Sequence, residues 1–235
     1  MGVLDKLDLS LRLERAEYEK QLDSLQRELS RRAVKLFEKK RTAVLVFEGK
    51  DAGGKGGAIK RVTRALIPQL YSVLPIAAPS EPERARHYLW RFAARLPEPG
   101  RLAIFDRSWY GRVLVERVEG FAKSEEWKRA YREINEMERR WHEDGVLIAK
   151  FWLQISQEEQ VRRFEARAES PLKNWKLTDE DWRNREKWPL YAEAVEAMIE
   201  RTSTPHALWH LVEGDDKLFA RIKVLRTVSE LLKKL

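Results

Sequence analysis

The chain has 235 residues, 43% of them hydrophobic and 36% charged, enough for one large domain with a substantial core and long solvated helices. Lys and Arg exceed Asp and Glu by 46 to 38, so the net charge of +8 points to a polyanionic partner such as nucleic acid, anionic lipid or a polyphosphorylated substrate. The absence of cysteine excludes disulfides, thiolate metal sites and a thiol nucleophile. The N-terminus lacks the apolar core of a signal peptide and no run approaches membrane-spanning length, so the expectation is a soluble, cytoplasmic protein.

From about Leu9 to Lys40 there is no Gly or Pro, and Tyr18, Leu22, Leu25, Leu29, Ala33 and Leu36 recur at steps of three or four. This predicts an amphipathic N-terminal helix over residues 1–40 that packs on the body rather than zipping to a free partner. The rest, 41–235, reads as one core.

The chemical centre begins at Thr42. Ala43 to Phe47 is an apolar, partly β-branched run stopped by Gly49, and a helix starts near Lys55. Gly49, four intervening residues, Gly54 and Lys55 fit the G-x-x-x-x-G-K spacing of a phosphate-binding loop in its strand–loop–helix context. Glycines let successive N–H groups turn inward, and the helix start adds unpaired donors. Gly49, Ala52, Gly53, Gly54, Gly56 and Gly57 therefore form the candidate cradle, with Lys55 as its point charge. Gly56 stands where the usual loop has a Ser or Thr that ligates magnesium. Asp51 inside the loop is the candidate replacement, because magnesium favours carboxylate and phosphate oxygens. Lys60, one turn from Arg64, extends the basic site or belongs to a solvated face; the pattern leaves both open.

Next come a strand at Tyr71 to Ala77, a helix carrying His87 to Phe92, and a short buried strand at Leu102 to Phe105. Asp106 ends that strand, where α/β sheets bind ligands, and reads as the second metal-organising carboxylate. Arg107 and Arg112 follow it and can meet phosphoryl oxygens. A helix at Ser124 to Glu143, a strand at Val146 to Leu153 and a capping pattern at Ser156 and Glu159 come after. The helix begun there carries Arg163 and Arg167, Pro171 breaks it, and Lys173 and Lys176 flank Trp175. This basic stretch, within residues 157–187, reads as a lid able to close over a phosphate chain, or as a charged surface pair. A helix at Tyr191 to Arg201, a strand at Trp209 to Val212 and a helix at Lys217 to Lys233 complete the chain. The fold class is α/β, three layers with a parallel sheet, its strand order unreadable. The four histidines do not form a metal set.

The segments E-G-K-D-A-G-G-K-G-G, F-D-R-S-W-Y-G-R and R-R-F-E-A-R-A-E-S-P-L-K-N-W-K together resemble the polyphosphate kinase 2 family, from about residue 42 to the C-terminus. Gly53 stands where that family usually has alanine, and the family lacks the Ser or Thr after the lysine, as Gly56 does here. The resemblance implies a P-loop kinase-like core with a helical lid and magnesium-dependent phosphoryl transfer between inorganic polyphosphate and AMP or ADP, with GMP or GDP as further acceptors. Manganese is an alternative metal. The resemblance also implies a homodimer or homotetramer, without nucleic acid or membrane as partner. By motif, Asp51 and Asp106 would organise the metal, Lys55 would be the loop lysine, Arg107 and Arg112 would follow the second acid, and Arg163, Arg167, Lys173 and Lys176 would belong to the lid. Two other readings of the same residues stay open: an ATP-dependent nucleotide kinase, and a basic nucleic-acid-binding module.

Overall fold

The computed structural model describes residues 2–172, 174–176 and 179–234, and the side chains of all these except 176 and 179–181. Its helices of one turn or more and its strands follow the chain as α1 (Arg15–Glu38), β1 (Thr42–Gly49), α2 (Lys55–Thr63), β2 (Tyr71–Pro75), α3 (Glu81–Arg84), α4 (Trp90–Ala93), β3 (Leu102–Asp106), α5 (Val115–Val118), α6 (Ser124–Glu143), β4 (Val146–Gln154), α7 (Gln157–Ala168), α8 (Asp179–Glu186), α9 (Trp188–Thr202), β5 (Trp209–Glu213) and α10 (Lys217–Lys233). The five strands pair in parallel in the order β2-β3-β1-β4-β5. The loop-bearing strand is therefore central, with β3 on one side and β4 on the other. In register, Phe47 stands beside Asp106 and Phe151.

Side chains on a strand alternate between faces, and both faces of this sheet are covered. Ala43, Leu45 and Phe47 of β1, with Leu147, Ala149 and Phe151 of β4, join the core that α1, α2 and α10 cover. Val44, Val46, Val146, Ile148 and Trp152 join the other core, with Tyr131, Ile134 and Trp141 of α6 and Val195 and Met198 of α9. This is the three-layer arrangement the alternation of elements implied. α1 packs along α10, burying Tyr18, Leu29, Ala33 and Leu36, while Leu22 and Leu25 pack against the same core partly exposed.

Two expected elements differ: the N-terminal helix begins at Arg15 rather than near Leu9, and a second helix is broken. The helix carrying His87 to Phe92 is two single turns, α3 and α4. Ser80 and Glu83 close a capping box at the first turn, and Glu83 then receives Arg91 and Arg95 from beyond the break. The carboxylate that opens the helix also draws the chain back upon itself. Among the described residues, no helix is long and apolar enough to cross a membrane.

Candidate active site

The loop after β1 owes its shape to two glycines. At Gly49, φ is +156°, and a Cβ would lie 2.6 Å from the carbonyl oxygen of Leu153 on β4. No side chain fits so close an approach. Gly54, at φ +103°, is the left-handed residue that turns the loop into α2. Lys55 opens that helix and folds its ammonium back, donating to Gly49 O at 2.9 Å.

The carboxylates predicted from sequence lie at the ends of neighbouring strands. Asp51 accepts from Asn184 Nδ2 of α8 at 3.0 Å, and Arg107 Nη2 is 3.7 Å from its other oxygen. Asp106 closes β3, and its carboxylate makes no hydrogen bond or ion pair among the described residues. Near the end of β1 is Glu48, a residue the motif does not mark. It is buried and accepts from Ser108 Oγ at 2.8 Å, joining the end of β1 to the segment after β3. Burial raises its pKa, against the pull of Ser108, Lys55 and Arg107, while the charge of Asp106 raises it further. Lys55 and Asp106 therefore both act on one carboxyl and belong to one site.

Arg107 itself holds φ at +64°, a left-handed backbone at a non-glycine position. Such strain persists only where surroundings impose it. Here they do. Arg107 N donates to Phe47 O, and the following Trp109 and Tyr110 are anchored in a buried polar cluster. Glu138 accepts from Trp109 Nε1 at 3.0 Å and from Tyr110 Oη at 2.7 Å. Lys150 Nζ donates to Glu138, Tyr110 Oη and Thr202 O, each at 2.7 Å.

Two hollows flank the loop, and they share no lining residue. The first holds Glu48, Lys50, Asp51, Lys55 and Arg107, with Leu114, Val115, Trp152, Trp188 and Tyr191 as an apolar and aromatic wall. The second is lined by the loop residues Ala52, Gly53, Gly54 and Gly57 and by Arg163, Arg167, Lys217 and Arg221. Burial depresses the pKa of Arg163, Lys217 and Arg221, with neighbouring cations adding to the effect and nearby acids, Glu159 and Asp215 at Arg163, opposing it.

The predicted residues divide accordingly. Asp51, Lys55, Arg107 and Gly49 meet in the first hollow, and Ala52, Gly53, Gly54, Gly57, Arg163 and Arg167 in the second. Lys60 is exposed on α2 and Gly56 faces open space. Arg112 lines neither hollow: it pairs with Glu116 at 3.2 Å and lies over the Tyr88 ring. Arg163 departs from the expected free lid cation. It is buried and donates to Ala52 O at 2.8 Å, to Gly214 O and Asp215 O, and to Glu159, so it braces the loop backbone. The Ser156 cap forms, but Asp215 rather than Glu159 accepts the Ser156 N–H, which leaves Glu159 for Arg162 and Arg163. Lys173 and the side chain of Lys176 lie outside the described residues.

Lys50 is the residue the motif hid. It sits in the loop as an ordinary x position, yet it is 7% exposed, its Nζ has no hydrogen-bond partner among the described residues, and it lies 3.8 Å from the Trp188 ring centroid. Burial lowers its pKa to about 8 against the opposing charge of Asp51. Asn184, Trp188 and Tyr191 were also unforeseen: the first comes from α8 and the other two from the first turn of α9.

Loop, strand-end acid and basic cleft together suit the binding of phosphates. The sequence model of polyphosphate kinase 2 (PPK2) matches residues 12–235. A polyphosphate:AMP phosphotransferase of Pseudomonas syringae pv. tomato is 53% identical over 232 residues, 99% of this chain and 47% of that protein. An ADP-polyphosphate phosphotransferase of Pseudomonas aeruginosa is 40% identical over 213 residues, 91% of this chain and 70% of that protein. The crystal structure of polyphosphate kinase 2 from Arthrobacter aurescens superposes with a TM-score of 0.94 at 33% identity, covering 98% of this chain and 85% of that one. The chain spans about half the length of the polyphosphate:AMP relative. With the match running through both hollows and every strand, the chain belongs to the polyphosphate kinase 2 family.

Proposed function

We propose that this chain transfers a phosphoryl group between inorganic polyphosphate and a nucleotide, AMP or ADP, with guanine nucleotides as further acceptors. The observation that carries this reading is the pair of unlike hollows on one phosphate loop. The cleft of Arg163, Arg167, Lys217 and Arg221 has cations and small residues and no aromatic wall, which suits a bare polyanion. The hollow of Asp51, Lys55, Trp188 and Tyr191 combines charge with an apolar surface, which suits a nucleotide.

The nucleophile is then a terminal phosphate oxygen of the nucleotide, already ionised near neutral pH, and no general base is required. The protein supplies alignment and charge. Lys55 and Arg107 neutralise phosphoryl oxygens at the loop, while Gly54 and the start of α2 present N–H groups to them. Asp51 and Asp106 are the residues that would hold magnesium, or manganese in its place. The donor set fits: magnesium takes one or two carboxylates and fills its shell with water and phosphate oxygens, and among the described residues the Asp106 carboxylate has no hydrogen-bond or ion-pair partner. When bound, the ion supplies positive charge to the phosphoryl oxygens. The segment 157–187 serves as the lid, with Asn184 already reaching Asp51 from α8. The assembly is a homodimer or homotetramer in the cytoplasm, without nucleic acid or membrane.

The test is a nucleotide panel with long-chain polyphosphate as sole donor. Formation of ADP from AMP, or ATP from ADP, is expected without added ATP. Turnover only with ATP as donor would refute the reading.

A further inference from the structure

A buried ammonium without an oxygen partner is costly, because a desolvated charge needs a counter-ion or an acceptor. Among the described residues, Lys50 is such a group. Its backbone is fixed by the loop, with Lys50 N donating to Leu153 O and Lys50 O accepting from Gly53 N. The side chain turns away from those bonds and lies over Trp188, in the wall of the first hollow beside Asp51 and Tyr191. A π-face attracts a cation, but it leaves all three N–H bonds without an acceptor. The motif gives this position no role, since the lysine of the loop is Lys55.

We propose that Lys50 binds the acceptor: its ammonium donates to a phosphate oxygen of the nucleotide held between the phosphate loop and α9. The inference rests on the polyphosphate-to-nucleotide reading above and adds a residue and a substrate to it. A phosphate oxygen is the fitting partner, because an anion both satisfies the donors and balances the buried charge. The nucleotide, rather than polyphosphate, is its owner because Lys50 shares its hollow with Leu114, Val115, Trp152, Trp188 and Tyr191, whereas the second cleft offers no such wall. Trp188 then has two tasks, holding the ammonium in place and closing the hollow from the first turn of α9.

The experiment compares wild type with Lys50→Met, which keeps length and apolar contact with Trp188 but removes the donors. Steady-state kinetics with AMP and with ADP give KM for each nucleotide and for polyphosphate, and calorimetry gives the Kd of AMP without donor. The expected result is a rise in nucleotide KM and Kd of about tenfold or more, with the polyphosphate KM within about twofold of wild type. Lys50→Leu, of different shape and likewise without a donor, is expected to show the same selective loss and carries the test if the methionine variant does not fold. Nucleotide Kd and KM within about twofold of wild type, or nucleotide and polyphosphate KM rising together, would overturn the proposal. Failure of wild type to use polyphosphate is a separate result: it refutes the proposed function, and the calorimetric comparison still decides whether Lys50 holds a nucleotide phosphate.

Discussion

Two lysines in this molecule are removed from water, and their surroundings are opposite. Lys150, in the middle of β4, has three donors and three acceptors, from Glu138, Tyr110 and Thr202. Lys50, five residues before α2 begins, has none among the described residues and rests on an indole. Burial lowers the pKa of both, but only at Lys150 is that opposed by a bonded carboxylate. A closed polar network fixes a shape, and here it fixes the Trp109–Tyr110 turn behind Arg107. An open one marks a place where something else completes the bonding. The difference separates support from site within one sheet.

The largest effect is expected where the site carries transferred charge. Asp106→Asn and Lys55→Ala should each lower kcat by about 100-fold or more with an unchanged circular dichroism spectrum, since each removes charge from the phosphoryl path. Turnover near wild type in either variant would remove the site from this end of the sheet. The support should fail differently. Glu138→Gln leaves Lys150 buried without its carboxylate, and urea unfolding should report a loss of about 3–5 kcal/mol. Lys50→Met sharpens the contrast, because it removes a buried charge that lacks a partner. Its unfolding free energy should lie within about 1 kcal/mol of wild type or above it. A loss as large as that of Glu138→Gln would make the two lysines alike.

The smallest effect concerns a half-buried base. His210, on β5 against the Phe151 ring, has its pKa lowered below 6.5 by burial and by the charges of Lys234, Lys223 and Lys150. The unfolded chain therefore binds a proton near pH 6.5 that the folded chain takes up only at lower pH. Stability from this group is present above 6.5 and is lost as pH falls. Melting temperatures from about pH 7 to about pH 5 should decline less steeply in His210→Gln than in wild type. Equal slopes would show that His210 does not contribute.

Much of the fold was legible because its signals are local. The bounds of Ser124–Glu143 and Lys217–Lys233 match the expected ones, each helix being marked by an apolar period and a clear break. The loop, Lys55 and Asp106 were legible for the same reason: a motif is a local arrangement. What escaped is what depends on distant pairing. Strand order follows from contacts across the chain, and Asn184 reaches Asp51 from 133 residues away. Arg163 and Arg167 share a helical face by sequence, but nothing local says that Arg163 is spent on the loop carbonyls while Arg167 faces the cleft. Lys50 was hidden by its neighbour, since the motif's own lysine accounts for the charge that a reader expects there.

The pairing of α1 with α10 sets a schedule for synthesis. Leu29, Ala33 and Leu36 are made long before the side chains that cover them, among them Val224, Leu225, Val228 and Leu232. Until those later residues are made, α1 carries an uncovered greasy stripe. A chaperone with affinity for such stripes would find a target there and lose it only when residue 232 is free to dock.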